Sequence, residues 1–139
     1  MKAITFPVNS QINNVCQDIE YILDCITKLI ALSDECIFDI RVILNELIAN
    51  AITHGCCSHK KSIIVSFKRI NDKYIYLSVF DNGPGFNASS GIYKKIEQID
   101  YLNQTFCEHG RGLFIVEQLC KYIKFNSMGN KISVLKSIK

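Results

Sequence analysis

The run from Arg41 to Gly55 constrains the fold of this chain more than any other segment. Val42, Ile43, Leu44, Leu47, Ile48, Ala51 and Ile52 recur there at helical spacing and supply most of a core-facing surface. Ser33-Asp34 is an N-cap signal with Glu35 in the first turn, and Gly55 is a natural stop, so the spacing predicts a helix from there to His54. Glu46, Asn50 and His54 recur at intervals of four and form one polar stripe along it. A solvated face is the plain explanation of such a stripe. Asn, however, is a poor helix former, and Lys or Glu would serve a solvated face better. An amide oxygen is a hard neutral ligand suited to Mg²⁺. A carboxylate one turn away can take a proton from water or a hydroxyl.

The rest of the chain alternates strand and helix signals. Lys2 to Val8 reads as a strand, and Ile12 to Leu32 as a helix, from Ile12, Val15, Ile19, Ile22, Leu23, Ile26, Leu29 and Ile30. Ser62 to Ile70 and Tyr74 to Phe80 read as strands joined by a turn at Asn71-Asp72-Lys73. Residues 87–109 are mixed, with a short helical pattern around Tyr93 to Leu102. Leu113 to Tyr122 reads as a helix; Ile123 to Ser127 and Lys131 to Ile138 form a last hairpin across Met128-Gly129-Asn130. Residues 1–139 are expected to make one domain, an α+β two-layer sandwich. Its mixed, mostly antiparallel sheet would carry the helices on one face.

Two glycine-rich segments stand at element ends. Asp81 closes a strand and is followed by Gly83 and Gly85. An Asp there can accept a hydrogen bond from an exocyclic amino group, and glycines allow close backbone approach. A plain turn explains the same residues. Gly110 and Gly112 flank Arg111 directly before the expected helix at Leu113. Free N–H groups at a helix start make an anion site, and Arg111 adds permanent charge. A flexible connection is again the plain explanation.

Composition removes several other classes. A net charge of +3 with 21% charged residues is ordinary for a globular chain. The loose basic group Lys60, Lys61, Lys68, Arg69 and Lys73 has no interleaved aromatic residues, so no direct nucleic-acid contact is expected. No run approaches a membrane span or a signal peptide, which points to a cytoplasmic chain without membrane contact. The seven cysteines include no Cys-x-x-Cys spacing and read as reduced, small apolar residues. His54-Gly-Cys-Cys-Ser-His59 suggests zinc, but adjacent cysteines rarely face one metal and no second ligand pair is evident.

Taken together, in this order, the three motifs resemble those of the GHKL (Bergerat-fold) ATP-binding superfamily. Glu46-x-x-x-Asn50-Ala51 with His54-Gly55 looks like its N box, Asp81-Asn-Gly83-Pro-Gly85 like its G1 box and Gly110-Arg-Gly112-Leu113 like its G2 box. The closing strand after Gly129-Asn130 fits too. Within the superfamily the chain most resembles the short anti-sigma-factor serine/threonine kinases, the RsbW/SpoIIAB-like group. Its length matches an ATP domain with nothing attached, and it lacks the upstream helical segment and phospho-accepting His of a complete histidine kinase.

The resemblance implies ATP and Mg²⁺ as cofactors, with Asn50 holding the metal and Glu46 as general base. Asp81 would bind the adenine amino group, with Gly83 and Gly85 shaping the pocket. Gly110, Gly112 and the Leu113 amide would meet the phosphates. Lys94, Lys95 and Arg111 are candidates for the γ-phosphate, and residues 87–109 would form a lid. Asn130 replaces the Thr that often contacts adenine. The implied partners are a sigma factor and an anti-sigma-factor antagonist, with a homodimer formed through the first strand or helix. Two other readings share the motifs: a nucleotide-binding switch without turnover, and the ATP domain of a split histidine kinase.

Overall fold

The computed structural model describes residues 2–8, 12–54, 63–81 and 108–139. The elements are β1 (Ile4–Val8), α1 (Ile12–Leu29), α2 (Asp34–His54), β2 (Ile63–Arg69), β3 (Tyr74–Asp81), α3 (Glu108–Leu119), β4 (Tyr122–Phe125) and β5 (Lys131–Ser137). Alternation along the strands builds the sheet. Its order is β1-β2-β3-β5-β4, and every pairing among the described residues is antiparallel. The expected two-layer α+β sandwich is therefore present, with an antiparallel sheet throughout the described strands.

Register aligns the apolar side chains in rows across the sheet. Phe6, Val65, Val79, Ile132 and Phe125 form one row, and Ile4, Phe67, Leu77, Val134 and Ile123 the next. Apart from the partly buried Ile4, all of these are buried. The intervening positions read Thr5, Ser66, Ser78, Ser133 and Lys124. Period-two alternation thus separates an apolar face, on which the helices pack, from a mixed one that carries this polar row beside the partly buried Ile64, Tyr76, Phe80 and Leu135.

The helices cover that apolar face. Val15, Ile19, Ile22, Leu23 and Ile26 of α1 are buried, as are Ile40, Ile43, Leu44, Leu47, Ile48 and Ala51 of α2. Helix α2 packs on α1, α3 and β3. Ser33 caps it: the Cys36 N–H donates to Ser33 Oγ at 3.1 Å and the Ile37 N–H to the Ser33 carbonyl at 2.9 Å. A non-helical cap at Ser33 explains why α1 stops at Leu29 instead of running to Leu32. The Arg41 guanidinium meets Glu20 through Nε and Nη2, at 2.7 and 3.2 Å, an exposed pair that links α2 to α1.

The turns form as their residues require. Asn71 Oδ1 accepts the Lys73 and Tyr74 N–H groups at 2.8 and 3.0 Å, closing the β2–β3 hairpin. Gly129, at φ 73°, closes the β4–β5 turn in the left-handed region. Among the four described cysteines Cys36 is buried as expected, whereas Cys16 is exposed. Burial pushes the Cys120 thiol up to about 12, so it stays protonated.

A largely buried ion pair joins three elements. Lys136 Nζ on β5 donates to Asp39 Oδ2 on α2 at 2.8 Å and to the Leu119 carbonyl at the end of α3 at 3.0 Å. The ammonium therefore also caps the C-terminus of α3. Removing one partner of such a pair strands the other charge. Asp39→Ala is expected to destabilise the fold by about 3 kcal/mol. Asp39→Leu combined with Lys136→Met is expected to be more stable than that single variant. Urea unfolding of the three proteins checks the order.

Candidate nucleotide-binding site

Helix α2 carries both polar candidates inward. Asn50 is buried, and its Oδ1 has no hydrogen-bond partner among the described residues. A buried carbonyl oxygen without a partner costs about 1–3 kcal/mol, so such atoms mark places where a further group is missing. One turn earlier, Glu46 is half-buried, and burial pushes its carboxyl above the usual carboxylate value. These two groups are a neutral oxygen donor of the kind that suits a hard cation and a half-buried carboxyl that keeps its proton to higher pH than an exposed one.

Glu46 meets α3 at Gly112. A Cβ added at Gly112 would fall on Glu46 Oε2 and lie 3.3 Å from its carboxyl carbon. The absent side chain is what lets the carboxylate lie against the helix. Sequence reasoning places the start of this helix at Leu113, but it begins at Glu108. Two glycines lower helix propensity enough to hide the first turn, whereas packing on α2 stabilises it. The free N–H groups at the start of α3 consequently belong to its first turn, which includes Gly110. Leu113 falls a turn later and anchors α3 with a buried side chain.

The second pair of candidates is on the sheet. Asp81 ends β3 and is buried; its N–H donates to the Asn130 carbonyl at 2.9 Å. Phe80 pairs with Lys131, so Asp81 lies opposite Asn130, and both share the helix-facing side with Val79 and Ile132. Asn126 holds this corner. Its Oδ1 accepts the Asn130 and Lys131 N–H groups at 3.0 and 3.1 Å, and its Nδ2 donates to Asn130 Oδ1 at 2.7 Å.

Two contacts between candidates are thus established, Glu46 with Gly112 and Asp81 with Asn130, and α2 packs against the strand that carries Asp81. Gly83, Gly85, Lys94, Lys95 and the Arg111 side chain fall outside the described residues. So do the helical pattern around 93–102, the Cys56-Cys57 segment and the 87–109 lid apart from Glu108 and His109. Asn126 escaped sequence reasoning, although an Asn four residues before Asn130 at a turn is a recognisable side-chain acceptor signal.

A family model described as the histidine kinase-like ATPase domain matches residues 10–136. The chain belongs to that family. It is also similar to the serine-protein kinase RsbW of Oceanobacillus iheyensis, with 27% identity over 110 residues that span 76% of this chain and 67% of that protein. No helix among the described residues is long and apolar enough to cross a membrane.

The Glu46 environment gives two expectations. Ala is ordinarily better than Gly in a helix by about 1 kcal/mol, and Glu46 is flexible enough to swing aside. Gly112→Ala is therefore expected to fold with nearly unchanged stability while expelling the carboxylate toward solvent. An NMR carboxyl titration then finds the Glu46 pKa moved down toward its ordinary value. The raised value also couples to stability. A carboxyl whose folded pKa is raised holds its proton more tightly when folded, so its contribution is intact at acid pH and is lost as pH climbs through the raised value. Glu46→Gln should match wild-type melting below the ordinary Glu range and exceed it at pH 8, as melting curves across pH would show.

Proposed function

We propose that this chain binds ATP with Mg²⁺ and transfers the γ-phosphoryl group to a serine or threonine hydroxyl of a small anti-sigma-factor antagonist. In the same reading it holds a sigma factor, for which the antagonist competes, and it works in the cytoplasm as one domain. The orphaned Asn50 oxygen, one turn from a carboxyl with a raised pKa, carries the proposal. The resemblance to a serine-protein kinase supports the acceptor class.

In this reading Asn50 Oδ1 holds Mg²⁺, which when bound supplies charge neutralisation on the phosphates. Asp81 accepts from the adenine amino group, with Gly83 and Gly85 beside it and Asn130 adding a polar contact. The first turn of α3, with Gly110 in it, lets the phosphates approach the positive end of the helix, and Gly112 keeps the next turn free of a side chain. Arg111, Lys94 and Lys95 are the candidates for the γ-phosphate. The acceptor oxygen bonds to the γ-phosphorus as the bond to the β,γ-bridging oxygen breaks and ADP leaves. Glu46 takes the hydroxyl proton, and its raised pKa makes it a stronger base than an exposed carboxylate. A homodimer through β1 or α1 belongs to the same reading, and light scattering would weigh it.

Incubating the chain with Mg·ATP and small antagonist proteins encoded beside it tests the proposal. One of them should gain phosphoserine or phosphothreonine. Glu46→Gln should slow transfer by about 10²–10⁴-fold with ATP binding retained, and Asn50→Ala should abolish Mg·ATP binding. Intact ATP binding with no phosphorylated hydroxyl on any candidate would leave a binding switch, and acid-labile phosphate on a histidine-bearing partner would indicate a split histidine kinase.

A further inference from the structure

The β4–β5 turn fixes the orientation of two amides in sequence. Asn126 Oδ1 accepts two backbone N–H groups, those of Asn130 at 3.0 Å and Lys131 at 3.1 Å. A backbone N–H can only donate, so chemistry settles which Asn126 atom is the oxygen. Its NH₂ group is thereby turned toward Asn130, and the atom it meets at 2.7 Å must be an acceptor, Asn130 Oδ1. With that oxygen engaged, the Asn130 NH₂ points away from Asn126. An amide without such a neighbour rotates freely between its two orientations, because this terminal torsion is broad and nearly two-fold.

The register that pairs Phe80 with Lys131 continues to Asp81 and Asn130, whose backbones are joined by the 2.9 Å bond from the Asp81 N–H to the Asn130 carbonyl. Both are buried. We propose that Asn126 is a positioning residue for base selection: it holds the Asn130 carboxamide so that an NH₂ donor stands beside the Asp81 carboxylate, forming an acceptor–donor pair. That pair complements adenine, whose amino group donates and whose N1 accepts. Hypoxanthine and guanine present the reverse, an O6 acceptor and an N1–H donor. In the same pose they set acceptor against carboxylate and donor against NH₂, and unpaired buried groups of this kind produce discrimination. The inference rests on the reading of Asp81 as the base-contacting residue.

The test is calorimetric titration of the full chain with Mg·ATP and Mg·ITP, which differ only at the six position and N1. Wild type should prefer ATP. Asn126→Ala releases the Asn130 amide and should reduce the ATP:ITP preference by about tenfold. Asn126→Asp keeps an acceptor for both backbone N–H groups but sets a second acceptor against Asn130, turning its NH₂ toward the hairpin. It should lose the preference too, with a melting temperature close to wild type. Asn126→Ala added to Asn130→Ala should change the ratio no further than Asn130→Ala alone. If Asn126 only stabilises the turn, Asn126→Asp keeps the wild-type ratio, Asn126→Ala weakens both nucleotides equally, and the proposal is overturned. Wild type that binds neither nucleotide overturns the Asp81 reading and this proposal together. Wild type that binds ATP while both variants keep its ratio overturns the role of Asn126 alone.

Discussion

Burial of α2 is the constraint on which the rest of this structure depends. Ile40, Ile43, Leu44, Leu47 and Ile48 are each 0% exposed, held between the sheet and the other two described helices. Burying one such side chain stabilises the fold by about 1.5–3 kcal/mol. Close packing also leaves the helix little freedom to rotate or slide. Any polar group on the same helix is therefore carried to a fixed depth whether or not it finds a partner there. Asn50 is such a group, and its orphaned oxygen is outweighed by the apolar residues around it.

The two candidate contacts divide the chemistry of a nucleotide between layers. The helix pair α2–α3 offers a neutral oxygen, a carboxylate and the free N–H groups of a helix start, which suit phosphates and a cation. The sheet corner at Asp81 and Asn130 offers directional hydrogen bonding, which suits a base. Each set is fixed by a different kind of force. Helix packing determines where Glu46 meets Gly112, and strand register determines where Asp81 meets Asn130.

Much of this was legible in the sequence because it is local. The hairpin at Asn71, the cap at Ser33 and the alternation of β2 and β3 each follow from a few neighbouring residues. The first turn of α3 was hidden because Gly110 and Gly112 argue locally against helix, and the contact that favours it, with Glu46, comes from a distant part of the chain. The same holds for Lys136, which sits in a strand yet finds its carboxylate 97 positions earlier. Asn126 is different: its signal was local, but a side chain that serves two backbone donors and a second amide is hard to distinguish from an ordinary turn residue. In the site itself, residue types indicated the chemistry, whereas only the register showed that Asn130 faces Asp81.

The position of β5 has a consequence for how the molecule comes into being. The last strand in sequence is an interior one, inserted between β3 and β4. During synthesis from the N-terminus, β3 keeps an open edge until Lys131–Ser137 has been made. Until then Asp81 has no Asn130 opposite it, and Asp39 has no Lys136. The corner proposed to hold the base is therefore among the last parts of the fold that can be assembled, so a nascent chain can gather α1, α2 and the β2–β3 hairpin without yet having a complete site.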